Sequence, residues 1–158
     1  MNLIVAAGIL EQVIDESRRT YPNEACGLLV GRSSAERFIP VKNVSTDPHR
    51  YEMDPSELIA IFRDIRGTGE RLMAIFHSHP SGPAQPSKTD VQRAYYPEAA
   101  HLIVSLAQPE RPQVVAFRII DGGVPRLEPR VRTWRLRAGI VVISVRISPF
   151  CIHRRLGR

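Results

Sequence analysis

The chain has 158 residues, 43% hydrophobic and 24% charged, the composition of one ordinary globular domain with enough length to bury a core. Its two cysteines, Cys26 and Cys151, exclude a disulfide framework and a thiolate metal cluster, and they fit a reducing, cytoplasmic setting. The net charge of +6 does not mark a nucleic-acid-binding body: eight arginines and no acid lie between Arg130 and Arg158, and removing those eight charges leaves residues 1–129 at −2. The basic tail reads as a solvated extension, with binding of RNA, an acidic protein or a membrane surface as the alternative.

Residues 1–7 lack a basic leader and run straight into Glu11 and Asp15, so no secretory signal is expected. Residues 2–6 predict a short opening strand. From Gly8 to Thr20, Ile9, Leu10, Val13 and Ile14 recur at helical spacing between charged residues. Tyr21-Pro22-Asn23 ends that helix. Residues 24–31 predict a strand closed by Gly31, and residues 37–44 a partner strand, together an antiparallel hairpin. Asp47-Pro48-His49 is a turn, after which residues 51–53 would extend the sheet. A second helix opens at Asp54-Pro55-Ser56-Glu57, with Asp at the cap, Pro in the first turn and Glu three residues after the cap. Leu58, Ile59, Ile61, Phe62 and Ile65 continue it to Gly67-Thr68-Gly69.

The apolar run 72–76 predicts a buried strand that carries His77 and His79 at its C-terminal end. The loop 80–86, with three prolines and a glycine, leads to a short helix over residues 87–95. Strands are expected at 101–106, 114–120 and 124–131. This order predicts an α/β/α-type sandwich with a mixed sheet. Residues 140–147 are β-prone and far too short to span a bilayer, and would add an edge strand or pair with a second chain.

Side chains alternate along a strand, so His77 and His79 point the same way. With a carboxylate returning across the short loop, they make three of the four ligands of a tetrahedral zinc, the fourth position left open for water. Each part has a plainer reading. An H-x-H pair alone also fits two partly buried histidines at a strand end. Ser87-x-x-Asp90 also fits a helix-start capping box, although that gives no reason for the paired histidines before it. Amide hydrolysis needs a base, and no acid lies between His79 and Asp90. Glu24, at the mouth of another strand, could reach across, or could be a solvated edge glutamate.

Glu24, then His77-x-His79, seven residues, Ser87, two residues and Asp90 form the H-x-H-x7-S-x2-D pattern with its upstream glutamate, which resembles the JAMM/MPN+ zinc metalloproteases. Residues 22–31 resemble that family's Glu-bearing strand, and residues 50–55 the step into its second helix. The similarity extends from about residue 3 to residue 129. The short form resembles the prokaryotic branch, which includes a mycobacterial peptidase that releases cysteine from a sulfur carrier and archaeal enzymes that remove ubiquitin-like modifiers.

The resemblance implies a single-domain, cytidine-deaminase-like α/β/α sandwich with a mixed, mostly antiparallel sheet over residues 1–131, followed by a basic extension, 132–158. It implies His77, His79 and Asp90 as ligands of one Zn2+ with a catalytic water. It also implies Glu24 as general acid/base and Ser87 as hydrogen-bond donor to the oxyanion. The expected activity is hydrolysis of the amide bond after the C-terminus of a ubiquitin-like or sulfur-carrier protein, with lysine or cysteine as the leaving amine. No membrane partner is expected, nor nucleic acid except through the tail, and a homodimer is left open. The alternative is a RadC-like, nucleic-acid-associated or assembly module, suggested by His77-Ser78-His79-Pro80-Ser81-Gly82 and the basic tail. Cys26 reads as a small core residue, with a thiol beside the metal as its alternative. His49, His101 and His153 receive no role, and Trp134 is expected to pack the last strand.

Overall fold

The computed structural model describes residues 2–120 together with 127–128, 140–144 and 146–147. Strand β1 (Asn2–Ala6) runs directly into helix α1 (Ala7–Thr20), whose Ile9 and Val13 are buried on one stripe. Ser17, the next residue on that stripe, donates its hydroxyl to the Val13 carbonyl at 2.7 Å, so its burial leaves no orphaned donor. Strands β2 (Cys26–Gly31) and β3 (Arg37–Val41) form the expected antiparallel hairpin. The turn between them demands glycine at Gly31, where a Cβ would run into the Ser34 carbonyl.

The predicted strand over 37–44 stops at Val41, and residues 51–53 contribute one bridge, Asn43 to Met53, instead of a strand. Helix α2 (Pro55–Thr68) begins where Asp54 accepts the amides of Ser56 and Glu57, and ends at Gly69 in the left-handed region, φ 71°. Glu57 does not close a reciprocal box on the cap. Its carboxylate accepts the Lys42 amide at 2.8 Å, while the Asp54 amide donates to the Lys42 carbonyl at 2.9 Å. The helix start is thereby tied to the chain leaving β3, a tertiary use of a residue whose spacing suggests a local one.

Strand β4 (Arg71–His79) is followed by helix α3 (Lys88–Gln92), shorter than the expected 87–95, and by β5 (Ala100–Ser105) and β6 (Gln113–Phe117). The main sheet has order β3-β2-β4-β5-β6, with β4 and β5 parallel and the other pairs antiparallel. Beyond it, β7 (Leu127–Glu128) pairs with β9 (Arg146–Ile147). The rest of the strand expected over 124–131 lies outside the described residues. Strand β8 (Ile140–Ser144) pairs antiparallel with β1 of the same chain, Ala6 opposite Ile140 and Asn2 opposite Ser144.

Both faces of the sheet are covered, giving the α/β/α sandwich. Leu29, Ala74, Phe76, Leu102 and Val104 meet Ile9 and Val13 of α1 and Leu3 and Val5 of β1. Leu28, Val30 and Ile75 meet Ile65 of α2, with Leu58, Ile61 and Phe62 packed alongside. A bulge sets the phase between these faces. Leu29 pairs with Ala74 but Val30 with Leu72, so Met73 is an extra residue in β4. Met73 and Ala74 therefore both face α1, and Ile75, His77 and His79 fall on the α2 face. Among the described residues, no helix is long and apolar enough to cross a membrane.

Candidate metal centre

The two histidines sit at the end of β4 because its buried run continues through Ser78. Ser78 points to the opposite face, accepts the Ala25 amide on its hydroxyl at 2.8 Å and donates its own amide to the Ala25 carbonyl at 2.9 Å. These bonds draw the residue next to Glu24 against the residue between the two histidines. Asp90 arrives from α3 by the capping box. The Ser87 amide donates to Asp90 Oδ2 at 2.6 Å and the Asp90 amide to Ser87 Oγ at 3.2 Å, leaving Oδ1 free to face the histidines. The capping role and the metal-facing role are thus held by the same residues at once.

His77 Nε2 lies 3.1 Å from His79 Nε2 and 3.5 Å from Asp90 Oδ1, and His79 Nε2 lies 3.8 Å from Asp90 Oδ2. Two ligands of a tetrahedral zinc at their usual bond lengths stand about 3.3 Å apart, so the three groups fit one ion with little movement. His77 is fully buried and Asp90 nearly so. His79 Nδ1 lies 2.7 Å from the Pro83 carbonyl, which fixes the proton on Nδ1 and leaves the Nε2 lone pair facing the cluster. The loop 80–86 is held for this purpose: Ser105 donates its hydroxyl to the Gly82 carbonyl at 2.6 Å, and the Leu106 amide donates to the His79 carbonyl at 3.0 Å. On its other side His77 stacks on Tyr51, ring centroids 4.6 Å apart and 21° from parallel.

The electrostatics divide the carboxylates. Burial works to raise the Asp90 carboxyl, but the hydrogen bonds from His77 and His79 and the charge of His77 outweigh it and hold Asp90 far below the ordinary range. Burial pushes Glu24 the other way, up to about 7, against an opposing pull from His79 and with support from Asp90 and Asp47. Burial lowers His77 despite Asp90, while His79, also lowered by burial, is carried above its ordinary value by Asp90, the Pro83 carbonyl and Glu24. One carboxyl is therefore held as an anion and the other poised near neutrality, the division that acid–base chemistry uses.

Two clefts meet at this point. One, of about 530 Å³, runs from Glu24, His79, Ser87 and Asp90 past Tyr51 to Met53, Tyr95, Tyr96, Arg50 and Arg93. The other, of about 340 Å³, lies over the loop 80–86. Glu24, His49, His79 and Ser87 line both.

All five residues singled out in the sequence are brought together here. Residues that sequence reading missed are Tyr51, His49, Arg93 and Asn43. Asn43 donates from Nδ2 to the carbonyls of Glu24 and Arg50, both at 3.0 Å, and accepts the amides of Ser45 and Glu52 on Oδ1, both at 2.9 Å. It fastens the loop carrying His49 and Tyr51 to the backbone of Glu24. Each of its partners except Ser45 is seven or more residues away, so no local pattern marks it. Cys26 lies directly across from His77 on β2, yet its thiol donates to the Val41 carbonyl at 3.4 Å and burial, with Glu24 nearby, pushes it up to about 12. It is a buried core thiol. Trp134 and His153 lie outside the described residues.

Residues 6–120 match the family of prokaryotic homologues of the JAB domain, and the chain belongs to this prokaryotic JAMM/MPN family. It is 35% identical over 125 residues to the CysO-cysteine peptidase of Mycobacterium tuberculosis, covering 77% of this chain and 86% of that protein. It is 41% identical over 93 residues to a probable TtuB-protein conjugate cleaving protease of Thermus thermophilus, covering 58% of this chain and 63% of that one. The solution structure of a protein from Desulfitobacterium hafniense shares the fold at a TM-score of 0.68 and 37% identity, over 75% of this chain and 85% of its own. The chain is accordingly a hydrolytic enzyme of the JAMM/MPN class.

Proposed function

We propose that this enzyme is a zinc-dependent isopeptidase that hydrolyses the amide bond after the C-terminus of a ubiquitin-like or sulfur-carrier protein. The observation that carries the reading is the convergence of His77, His79 and Asp90 beside a near-neutral Glu24, at the meeting point of two clefts. The names of the mycobacterial and Thermus relatives support the choice of substrate.

His77, His79 and Asp90 hold one zinc per chain. When bound, zinc polarises the scissile carbonyl and brings the pKa of its water to about 7. Glu24 takes the proton of the attacking water and returns it to the leaving nitrogen, work that suits a carboxyl poised near 7. Ser87 spends a lone pair on the Asp90 amide and keeps its hydroxyl proton free to donate to the carbonyl oxygen as charge develops there. The carrier tail lies extended in one cleft and the leaving amine in the other, so the scissile bond crosses the residues common to both. The leaving amine is a lysine side chain or cysteine. Residues 1–131 carry the catalytic unit, and the extension 132–158 contributes β8 to β1. A cytoplasmic setting belongs to the same reading and suits the free thiol of Cys26.

The test is metal content of the purified protein, paired with cleavage of a carrier fused through its C-terminus to a short peptide, with and without chelator. One zinc per chain and chelator-sensitive cleavage are expected. Absence of zinc after reconstitution would leave only the capping-box role of Ser87 and Asp90 standing.

A further inference from the structure

A second buried histidine stands behind the metal centre. His101 is 1% exposed on β5, where its register partners are Ile75 on β4 and Phe117 on β6. It shares the face of Ile75, hence that of His77, and Ile103, two residues on, is the partner of His77. His77 and His101 are therefore diagonal neighbours on one face of the sheet, one strand across and two residues apart in register. Among the described residues, neither ring nitrogen of His101 has a hydrogen-bond partner, and neither has Nδ1 of His77. Burial and the neighbouring His77 push His101 down to about 4, so its ring is neutral and offers one donor and one acceptor.

A packing role does not explain this residue. Flanked by Ile75, Ile103 and Phe117, an apolar side chain would fill the site without stranding two polar atoms. The orphaned Nδ1 of His77 supplies the reason. A histidine that turns its Nε2 lone pair to a metal carries its proton on Nδ1 and requires an acceptor there, as His79 has in the Pro83 carbonyl. No direct bond joins the two rings, and a single water that accepts from one nitrogen and donates to another spans about 4.5–5 Å between them.

We propose that His101 is the positioning partner of His77: through one buried water, its ring nitrogen accepts the His77 Nδ1 proton and so holds the Nε2 lone pair toward the metal. The arrangement satisfies two of the three orphaned nitrogens and gives both metal-binding histidines an outer partner. It rests on the zinc reading above and adds to it a residue outside the H-x-H-x7-S-x2-D pattern.

The experiment measures zinc affinity by competition with a chromophoric chelator for wild type, His101→Phe and His101→Gln, with apo-protein melting as the control. His101→Phe should weaken zinc binding tenfold to a hundredfold while the apo protein melts no lower than wild type. His101→Gln, which keeps an acceptor on a flexible stem, should recover most of that loss. Wild-type zinc affinity in His101→Phe overturns the proposal, as does a Gln variant no better than Phe. Wild type that takes up no zinc overturns the metal reading as well. A crystal structure of the zinc-loaded wild type, which depends on no variant folding, should show the water between Nδ1 of His77 and the His101 ring; its absence also overturns the proposal.

Discussion

Replacing Glu24 by Gln removes a charge and a proton acceptor while keeping the size of the side chain, and it exposes two consequences of the same burial. The first is chemical. Glu24 is not among the three grouped side chains that could hold a metal ion, so Glu24→Gln should bind zinc like wild type yet lose roughly 10²–10⁴ in turnover, the usual worth of a positioned general base. The second is energetic and is read in the metal-free protein. Burial raises the folded-state pKa of Glu24 from 4.5 to about 7. The fold therefore favours the protonated carboxyl. Below pH 4.5 wild type and variant should be alike, and wild type should lose stability relative to Gln as pH rises from 4.5 through about 7. At about 1.36 kcal/mol per pH unit the whole rise is worth about 3 kcal/mol, and screening from the open cleft reduces this to roughly 2 kcal/mol. Urea unfolding in chelator at pH 5 and pH 8 measures it: the Gln variant should gain on wild type between the two. A variant that stays within tenfold of wild-type turnover would sink the assignment of the base. A stability difference independent of pH would show that the carboxyl is not desolvated.

Ser87→Ala should keep its zinc, because the backbone amide of residue 87 still holds Asp90, but kcat should fall about 10²–10³-fold and stability by about 1 kcal/mol for the lost cap; a loss under tenfold in kcat would remove Ser87 from the oxyanion site. Asn43→Ala breaks four hydrogen bonds at once and should cost about 2–4 kcal/mol in chemical denaturation. It should also raise KM, since it frees the loop that lines both clefts; an unchanged KM would show that the loop holds its place without it. Cys26, pushed up to about 12, should stay unmodified by iodoacetamide in the native protein and react on unfolding, followed by mass spectrometry of its own peptide; rapid native labelling would contradict its burial.

Much of this enzyme was written in short-range patterns. His77 and His79 share a face because strand side chains alternate, and that holds wherever the strand lies. Ser87 and Asp90 close on each other because they stand three residues apart at a helix start. Asp54 caps α2 for the same reason. Residues such as these interact with neighbours in sequence, so spacing alone specifies their geometry. The five-residue pattern added Glu24, whose reach to the histidines no spacing predicts.

Tertiary structure decided the rest. Met73, one extra residue in β4, selects the face on which the histidines fall, and nothing in the alternation of residues 71–79 marks it as a bulge. Glu57 has the spacing of a capping-box member but bonds Lys42, because the helix start packs against the chain leaving β3. The poise of Glu24 near pH 7 comes from its burial beside elements 50 and more residues away, and the charge of Asp90 from two histidines folded onto it. Tyr51 on His77 and Asn43 beneath Glu24 are contacts between distant strands and loops, and the place of His101 across from His77 is set by the pairing of β4 and β5. The sequence determined which chemical groups are present and how near neighbours orient them; burial, bulge and register determined what those groups face, and hence which carboxyl is held as an anion and which is poised near neutrality.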